Sequence, residues 1–228
     1  MKGWYMTRKL WKTLDLLQDY LETGFSREHP EIEVREIAPA DRPVAPDPAS
    51  LLSAVAAEVA GCTRCALSIS RRTVVPGEGS LRPPVLFIGE GPGEEEDKTG
   101  RPFVGPAGKY LDKWIAAAGL ERAACFIVNC VKCRPPQNRE PHPDELAACT
   151  PFLERQIGAL HPRVICCLGR IASHTLLSTS ASLGELRGRV HARAGIPVVV
   201  TYHPSAVLRD QALRAPVWQD LKLLKTLL

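Results

Sequence analysis

No apolar run in the 228 residues approaches the roughly 20 needed to cross a bilayer. The start, MKGWYMTRKLWKTLDLL, is basic, but Asp15 and Asp19 interrupt it and no secretory leader is recognisable. A strong net charge is missing too, the balance being +4. Neither a glycine loop ending in G-K-[ST] nor the G-x-G-x-x-G spacing occurs at the chain's main glycine loop, which argues against a phosphate cradle. These absences leave a soluble cytoplasmic protein as the expectation. What is present in quantity is cysteine: eight thiols, which a reducing compartment keeps for metal or packing and not for disulfides.

The chain is organised around residues 85–108, VLFIGEGPGEEEDKTGRPFVGPAG. Val85 to Ile88 is an apolar run of strand length. Gly89, Gly91 and Gly93 then permit close backbone approach, while Pro92 restricts φ. Five acids, Glu90, Glu94, Glu95, Glu96 and Asp97, stand around a single base, Lys98. A solvated acidic turn is the plain alternative to a site. Against it, Phe103 sits among glycines and prolines with little helix or strand of its own to pack on, as a pocket wall would.

Leu10, Leu14, Leu17 and Leu21 recur at helical spacing, so residues 1–37 read as a helical extension that packs on the body or binds another protein. Residues 38–49, APADRPVAPDPA, hold four prolines and read as a semi-stiff linker. The catalytic body is expected over 50–228, one full α/β core. An alanine-rich helix over Ser50 to Ala60 leads into Cys62-Thr-Arg-Cys65, a metal-ligand pair on a tight turn. Two partner sets compete: Cys130 with Cys133 gives the spacing of a four-thiolate zinc site, and Cys133 with Cys149 suits an iron–sulfur cluster. Phe126 to Val131 reads as a strand that would bury Cys130, whereas Cys133 lies in the following loop, so Cys62, Cys65, Cys133 and Cys149 are the favoured ligands. Cys149 is placed on a short helix opened by Pro143, with Asp144 and Glu145 in its first turn. Cys125, Cys130, Cys166 and Cys167 read as small buried apolar residues.

Val164 to Leu168 and Val198 to Tyr202 complete four apolar runs separated by helical patterns, among them Leu111, Ile115, Ala118 and Phe152, Leu153, Ile157, Leu160. The predicted fold is a three-layer α/β/α domain with a central, mostly parallel four-stranded sheet. Such sheets bind ligands outside the carboxyl ends of their strands, which here carry Gly89-Glu90-Gly91, Asn129, Gly169-Arg170 and His203-Pro204-Ser205. Seven arginines between His161 and Ala215 face only Glu185 and Asp210, a local excess of about +5 that suits a polyanion.

GEGPGEEEDKTGRPFVGPAG, NCVKCRPPQNREP with a cysteine at 149, and TYHPSAVLR together resemble the motifs of family 4 uracil-DNA glycosylases, over about Leu51 to Leu228. The resemblance implies a DNA repair hydrolase that flips uracil out of single- or double-stranded DNA and cuts its N-glycosidic bond. It also implies a structural [4Fe-4S] cluster on Cys62, Cys65, Cys133 and Cys149, with zinc as the alternative, in a monomer working at the nucleoid. Members resembling this chain usually carry a plain aliphatic where Cys130 stands. The acid that family 1 enzymes use to activate water is replaced by Gly91, leaving Glu90 or Glu96 to orient water; Glu96 could instead crowd the 5-methyl of thymine.

On the residues themselves, Asn129 can donate to uracil O4 and accept from N3–H, a pattern that cytosine reverses. Phe103 would stack on the base, Gly89, Gly91 and Asn138 would complete its pocket, and His203 would donate to O2 as negative charge develops. Pro204, Ser205, Ala206, Leu208 and Arg209 read as a loop that enters the DNA, Leu208 filling the vacated stack and Arg209 holding phosphate; Arg134 and Arg139 would add phosphate contacts. Two rival readings are a covalent uracil-DNA-binding relative and a non-catalytic, metal-stapled DNA-binding module. The first carries an Arg-rich insert ending in His where this chain has Arg134-Pro-Pro-Gln-Asn-Arg139. The second has no need of Glu90, Asn129 and His203 on one rim.

Overall fold

The computed structural model describes Asp47–Leu228 together with Gln18 and Leu21. The chain divides into two compact units, Met1–Ala45 and Pro46–Leu228. Gln18 and Leu21 are helical; the rest of the expected N-terminal helix, and the linker before Asp47, lie outside the described residues. Among the described residues no helix is long and apolar enough to cross a membrane.

In the larger unit the first helix, α1 (Pro48–Ala60), starts before the expected Ser50. Asp47 caps it by accepting from the Ser50 amide at 3.4 Å, and Pro48 takes the first helical position, where a missing N–H costs nothing. Residues 47–49 therefore belong to the body and not to the linker. After α2 (Leu67–Ser70) and β1 (Glu78–Gly79) come β2 (Val85–Gly89), α3 (Glu94–Thr99), α4 (Pro106–Ala117) and β3 (Phe126–Asn129). Then follow α5 (Pro143–Leu160), β4 (Val164–Leu168), α6 (Arg170–Leu177), α7 (Leu183–Leu186), β5 (Val190–Arg193), β6 (Ile196–Thr201), α8 (Pro204–Arg209) and α9 (Arg214–Lys225).

The sheet order is β1-β3-β2-β4-β6-β5. The four expected strands are its parallel centre, with Leu86 opposite Phe126 and Ile165, and Ile165 opposite Val198. The expectation of four strands is corrected to six, because β1 and β5 pair antiparallel at the two edges. Neither edge strand has a sequence signature: β1 is two residues long, and β5 reads Val-His-Ala-Arg with exposed and half-buried positions alternating. β5 and β6 join through Ala194 and Gly195, both at positive φ, as a two-residue hairpin turn requires.

Successive core residues point to opposite faces. Val85, Phe87, Ile127, Cys166 and Val199 pack with Leu111, Ile115, Val217 and Leu221 of α4 and α9. Leu86, Ile88, Val128, Ile165 and Val198 pack with Leu153, Ile157 and Leu176 of α5 and α6. A third cluster joins Val55, Val59 and Leu67 to Val131, Cys133, Cys149 and Phe152. Cys125, Cys130, Cys166 and Cys167 are buried in these clusters, and burial pushes their thiols up, to about 11 for Cys125 and about 12 for Cys130.

Two boundaries differ from expectation. β3 stops at Asn129, since Cys130 and Val131 donate to the carbonyls of Gly89 and Glu90 in a loop continuation. The short Cys149 helix and the Phe152–Leu160 pattern are one helix, α5, which runs through Pro151.

Leu86→Ala, which empties a site with no solvent exposure at the sheet centre, is expected to cost about 2–5 kcal/mol in denaturant unfolding. Val190→Ala on the exposed edge strand should stay within about 0.5 kcal/mol.

Candidate active site

The carboxyl ends of β2, β3, β4 and β6 open into a cavity of about 720 Å³. Glu90, Gly91, Glu96, Phe103, Asn129, Asn138, His203, Ser205, Ala206, Leu208 and Arg209 all line it. Arg139 lines it too, whereas Gly89, Pro204 and Arg134 do not. Gly89 lies beneath the cavity, Pro204 is buried in the first turn of α8, and Arg134 stands behind Asn138, donating to its Oδ1 at 2.8 Å.

Glu96 is the fixed point of the acidic loop. Its Oε2 accepts from the Gly93 amide at 3.1 Å, and its Oε1 accepts from the amides of Val104 and Gly105 at 2.8 and 2.9 Å. Asp97 likewise accepts from the Arg72 amide at 2.9 Å. The expectation that Glu96 orients water meets a carboxylate already occupied by three backbone donors; both its oxygens are engaged in holding the loop. At Gly91, an added Cβ would stand 2.8 Å from Val131 Cγ2, so this backbone has no room for a side chain there.

The chain between Glu96 and α4 carries Phe103 at φ 51, a costly conformation that survives only where its surroundings over-determine it. They do. Arg122 donates through Nη2 to the Pro102 carbonyl at 2.6 Å and through Nη1 to the Phe103 carbonyl at 3.2 Å. Gly108 lies so close that a Cβ there would be 1.9 Å from the Phe103 carbonyl oxygen. The Phe103 ring ends 5.7 Å, centroid to centroid, from His203. Gly89 lets both Phe103 and Asn129 close in, since its added Cβ would be 2.5 Å from Phe103 Cζ and 2.4 Å from Asn129 Oδ1.

Asn129 is buried, and its Oδ1 has no hydrogen-bond partner. Its carbonyl accepts from Lys132 Nζ at 2.7 Å. His203 caps α8, its Nδ1 accepting from the Ser205 amide at 3.2 Å with the Ser205 hydroxyl 2.7 Å away. Because Nδ1 accepts an amide proton, the neutral ring carries its own proton on Nε2. Burial, aided by the Arg209 charge, pulls its pKa down to about 4. Glu90 has the opposite shift: burial and then the Glu140 carboxylate push its pKa up to about 7, with Arg170 acting against them. Arg170 and Glu140, paired across the cavity lining, are groups that sequence reasoning did not connect to Glu90. They come from α6 and from the loop after β3, thirty residues apart.

The segment expected to enter DNA as a loop is instead helix α8. Val207 faces the core, while Leu208 is 41% exposed on the cavity rim. Arg139, proposed above as a phosphate contact, makes a bidentate pair with buried Glu145 at 2.8 and 2.7 Å, and Glu145 also accepts from the His142 amide. That clamp ties the 134–142 loop to the first turn of α5.

Beneath this loop, Cys62, Cys65, Cys133 and Cys149 line a second, small cavity together with Arg71 and Lys132. Arg71 Nη1 donates to Cys133 Sγ at 3.2 Å and to the Cys62 carbonyl at 2.8 Å. Cys130 is not among the lining residues. Among the described residues no group of three or more His, Cys, Asp or Glu side chains is drawn together as a single metal ion would require. Lys132 is buried, its ammonium pulled down to about 8 by desolvation, with the sulfurs of Cys149, Cys130 and Cys133 acting the other way.

Gly108→Ala is expected to lower stability by about 3 kcal/mol or more, because the new methyl meets backbone, which cannot rotate away. Thermal unfolding of the variant, with near-ultraviolet circular dichroism to follow the aromatic environment, reads the effect.

The family model described as "Uracil DNA glycosylase superfamily" matches residues 76–222. Over 171 residues the chain is 42% identical to a type-4 uracil-DNA glycosylase of Pyrobaculum aerophilum, an alignment covering 72% of this chain and 87% of that protein. Over 180 residues it is 44% identical to a type-4 uracil-DNA glycosylase of Thermotoga maritima, covering 77% and 94% respectively. A type-5 uracil-DNA glycosylase of Pyrobaculum aerophilum is 30% identical over 179 residues, 63% of this chain and 78% of its own length. The acidic glycine loop, Asn129 and the His203 helix all fall inside the matched span, and the chain belongs to the uracil DNA glycosylase superfamily.

Proposed function

We propose that this chain excises uracil from DNA, hydrolysing the N-glycosidic bond and leaving an abasic site. The observation that carries the reading is the buried, unpartnered Oδ1 of Asn129 in the cavity lined by Phe103 and His203. A buried acceptor left open costs about 1–3 kcal/mol, so the site is built for a ligand that donates there. Uracil offers N3–H to Oδ1 and O4 to the side-chain amide. Cytosine offers the reverse at both positions, which leaves two buried groups unsatisfied. The base reaches this depth only when extruded from the stack, at a cost of a few kcal/mol. Phe103 gives it a face to stack on, and Leu208 and Arg209 on the rim of α8 are placed to fill the gap and hold the backbone phosphate.

Breaking C1′–N1 sends the bonding electrons onto uracil, where negative charge gathers at O2, and leaves the sugar as an oxocarbenium-like cation. His203 supplies the donor for the first. Its ring is neutral at pH 7 and carries its proton on Nε2, so it meets the developing oxyanion as a neutral hydrogen-bond donor. Glu90 serves the second, its carboxylate accepting a proton from the water that adds to C1′. Glu96 takes no proton in this scheme, because its oxygens hold the loop that carries Phe103.

The four thiols fit a thiolate-bound metal group: they surround one apolar cavity, and Arg71 already donates to Cys133 sulfur. We propose a [4Fe-4S] cluster on Cys62, Cys65, Cys133 and Cys149, the four thiols that line this cavity without Cys130, with zinc as the alternative. When bound it supplies a structural tie, pinning the turn after α1 and the loop after β3 to α5. Eight cysteines in the sequence suit a reducing compartment, and we propose a cytoplasmic monomer acting on DNA.

Purified protein is expected to release free uracil from a uracil-containing oligonucleotide and to leave an alkali-labile site. A stable complex without turnover would favour the covalent relative, and indifference to uracil against thymine would leave only a DNA-binding module. The acid limb of kcat/KM should fall below a pH of about 7, the value to which Glu90 is raised. The sign follows because only the ionised carboxylate accepts the water proton, and His203 stays neutral until near pH 4. Glu90→Gln should lower kcat by about 10²-fold or more and flatten that limb.

Elemental analysis and colour test the metal group, brown being expected and a colourless protein pointing to zinc. Cys149→Ser should bleach the protein. Cys130→Ser should cost only core packing, so equal loss in both would overturn the ligand set.

A further inference from the structure

Lys132 is one of the largest fully buried side chains of the protein, 1% exposed, and excision chemistry has no use for it. Its side chain folds back over three residues to donate from Nζ to the Asn129 carbonyl at 2.7 Å. Its backbone is held as well: the Lys132 carbonyl accepts from the Val75 amide at 2.8 Å, and its own amide bonds to the Cys149 thiol. The same residue lines the small cavity with Cys62, Cys65, Cys133 and Cys149.

A buried ammonium needs anionic company, because desolvating it is costly and one neutral carbonyl accepts only one of its three donors. Among the described residues it is in ion-pair contact with no carboxylate; the chargeable groups acting on it are the sulfurs of Cys149, Cys130 and Cys133. Four thiolates around either a dipositive zinc ion or a dipositive iron–sulfur core leave the site doubly negative. Three cations line that site, Arg64, Arg71 and Lys132, and of these only Lys132 is fully buried. Arg71 approaches from the half-buried side, 3.2 Å from Cys133 sulfur, and Lys132 approaches from the core.

We propose that Lys132 is a positioning residue whose ammonium is the buried counter-charge of the thiolate-bound group and, through its bond to the Asn129 carbonyl, couples the seating of that group to the base-reading side chain. This rests on the thiolate and Asn129 readings above. It follows that the metal group, although outside the cavity, takes part in defining the pocket floor. A side chain wanted only for packing at this point would carry no charge, since methionine fills the same volume without desolvating an ammonium.

Lys132→Met and Lys132→Arg in the full-length, metal-loaded protein test the proposal. Three quantities are read: iron and zinc per chain, the rate of metal loss to a chelator, and kcat and KM for a uracil oligonucleotide. Lys132→Met should release metal about 10- to 100-fold faster. Per metal-loaded chain, it should also lower kcat about tenfold or more while KM shifts by less than about threefold. Lys132→Arg keeps the charge, so it should hold metal nearly as well as the parent while still losing kcat, because a planar guanidinium cannot reproduce the ammonium's approach to the carbonyl.

Metal retention in Lys132→Met equal to the parent's would overturn the counter-charge, as would a parent protein that carries no metal. Faster metal loss with an unchanged kcat per loaded chain would overturn the coupling and leave Lys132 a purely structural cation. If Lys132→Met fails to fold, Lys132→Arg with parental kcat overturns the coupling by itself. A parent that binds metal but releases no uracil would count against the excision reading alone, since the metal-retention comparison is read without activity.

Discussion

Everything at the cavity depends on one buried carboxylate. Glu96 takes three backbone N–H groups, from Gly93, Val104 and Gly105, and so ties the start of α3 to the start of α4. Charge-assisted bonds to backbone amides are short and strong, and here they close a loop that would otherwise be a run of glycines and prolines. Closing it is what allows Phe103 to sit at positive φ with its carbonyl against Gly108, and so to face His203 across the cavity. The acidic cluster thus divides its labour: Glu96 and Asp97 build the loop, Lys98 pairs with Glu94 and Glu95 on the surface, and Glu90 alone keeps a carboxylate free inside.

The site also illustrates how burial assigns protonation states. Glu90 follows β2 and His203 follows β6, two parallel strands separated by β4, and the same desolvation pushes them in opposite directions, the carboxyl upward and the imidazole downward. The result is an acid near its midpoint at neutral pH and a histidine that is a neutral donor. Asn129, at the end of β3 on the other side of β2 from β6, is the polar group whose partner is missing, and its backbone carbonyl is held by a buried ammonium. Polar groups this deep are costly unless they are used, which is why the rim of the sheet reads as a binding floor and not as core.

A second architectural constraint lies in the 134–142 loop. It leaves β3 at Asn129, passes Cys133 and the left-handed Gln137 and Asn138, and enters α5 under the Arg139–Glu145 clamp. Its two ends are held by different means, a hydrogen bond from Arg71 to Cys133 on one side and the Arg139–Glu145 ion pair on the other. Asn138 and Glu140 are consequently presented to the cavity from a segment with no regular hydrogen-bonding ladder of its own.

Much of this was legible in the residues. The four central strands are continuous apolar runs, and such runs must be buried on both faces, so a parallel sheet with a polar rim followed directly, and Gly89, Asn129 and His203 fell on that rim. The choice of Cys149 over Cys130 as a ligand came from placing Cys130 inside a strand, and β3 stops one residue short of it; Cys130 is buried all the same, against the α5 and α6 face. The edge strands were not legible: β1 is too short for any period, and β5 gains its pairing from β6 and not from its own composition. Nor could spacing distinguish Glu96 from Glu90, since what separates them is which one meets three amides, a fact of loop closure. Lys132 looked like any lysine in a loop, and Arg170 and Glu140 like surface charges, until the chain brought them against Asn129 and Glu90. Local pattern determines which segments are buried and where the strands end. Which buried charge faces which partner was decided only by tertiary contact, because Coulomb and desolvation energies depend on through-space distance and burial, and neither is written in the spacing of residues along the chain.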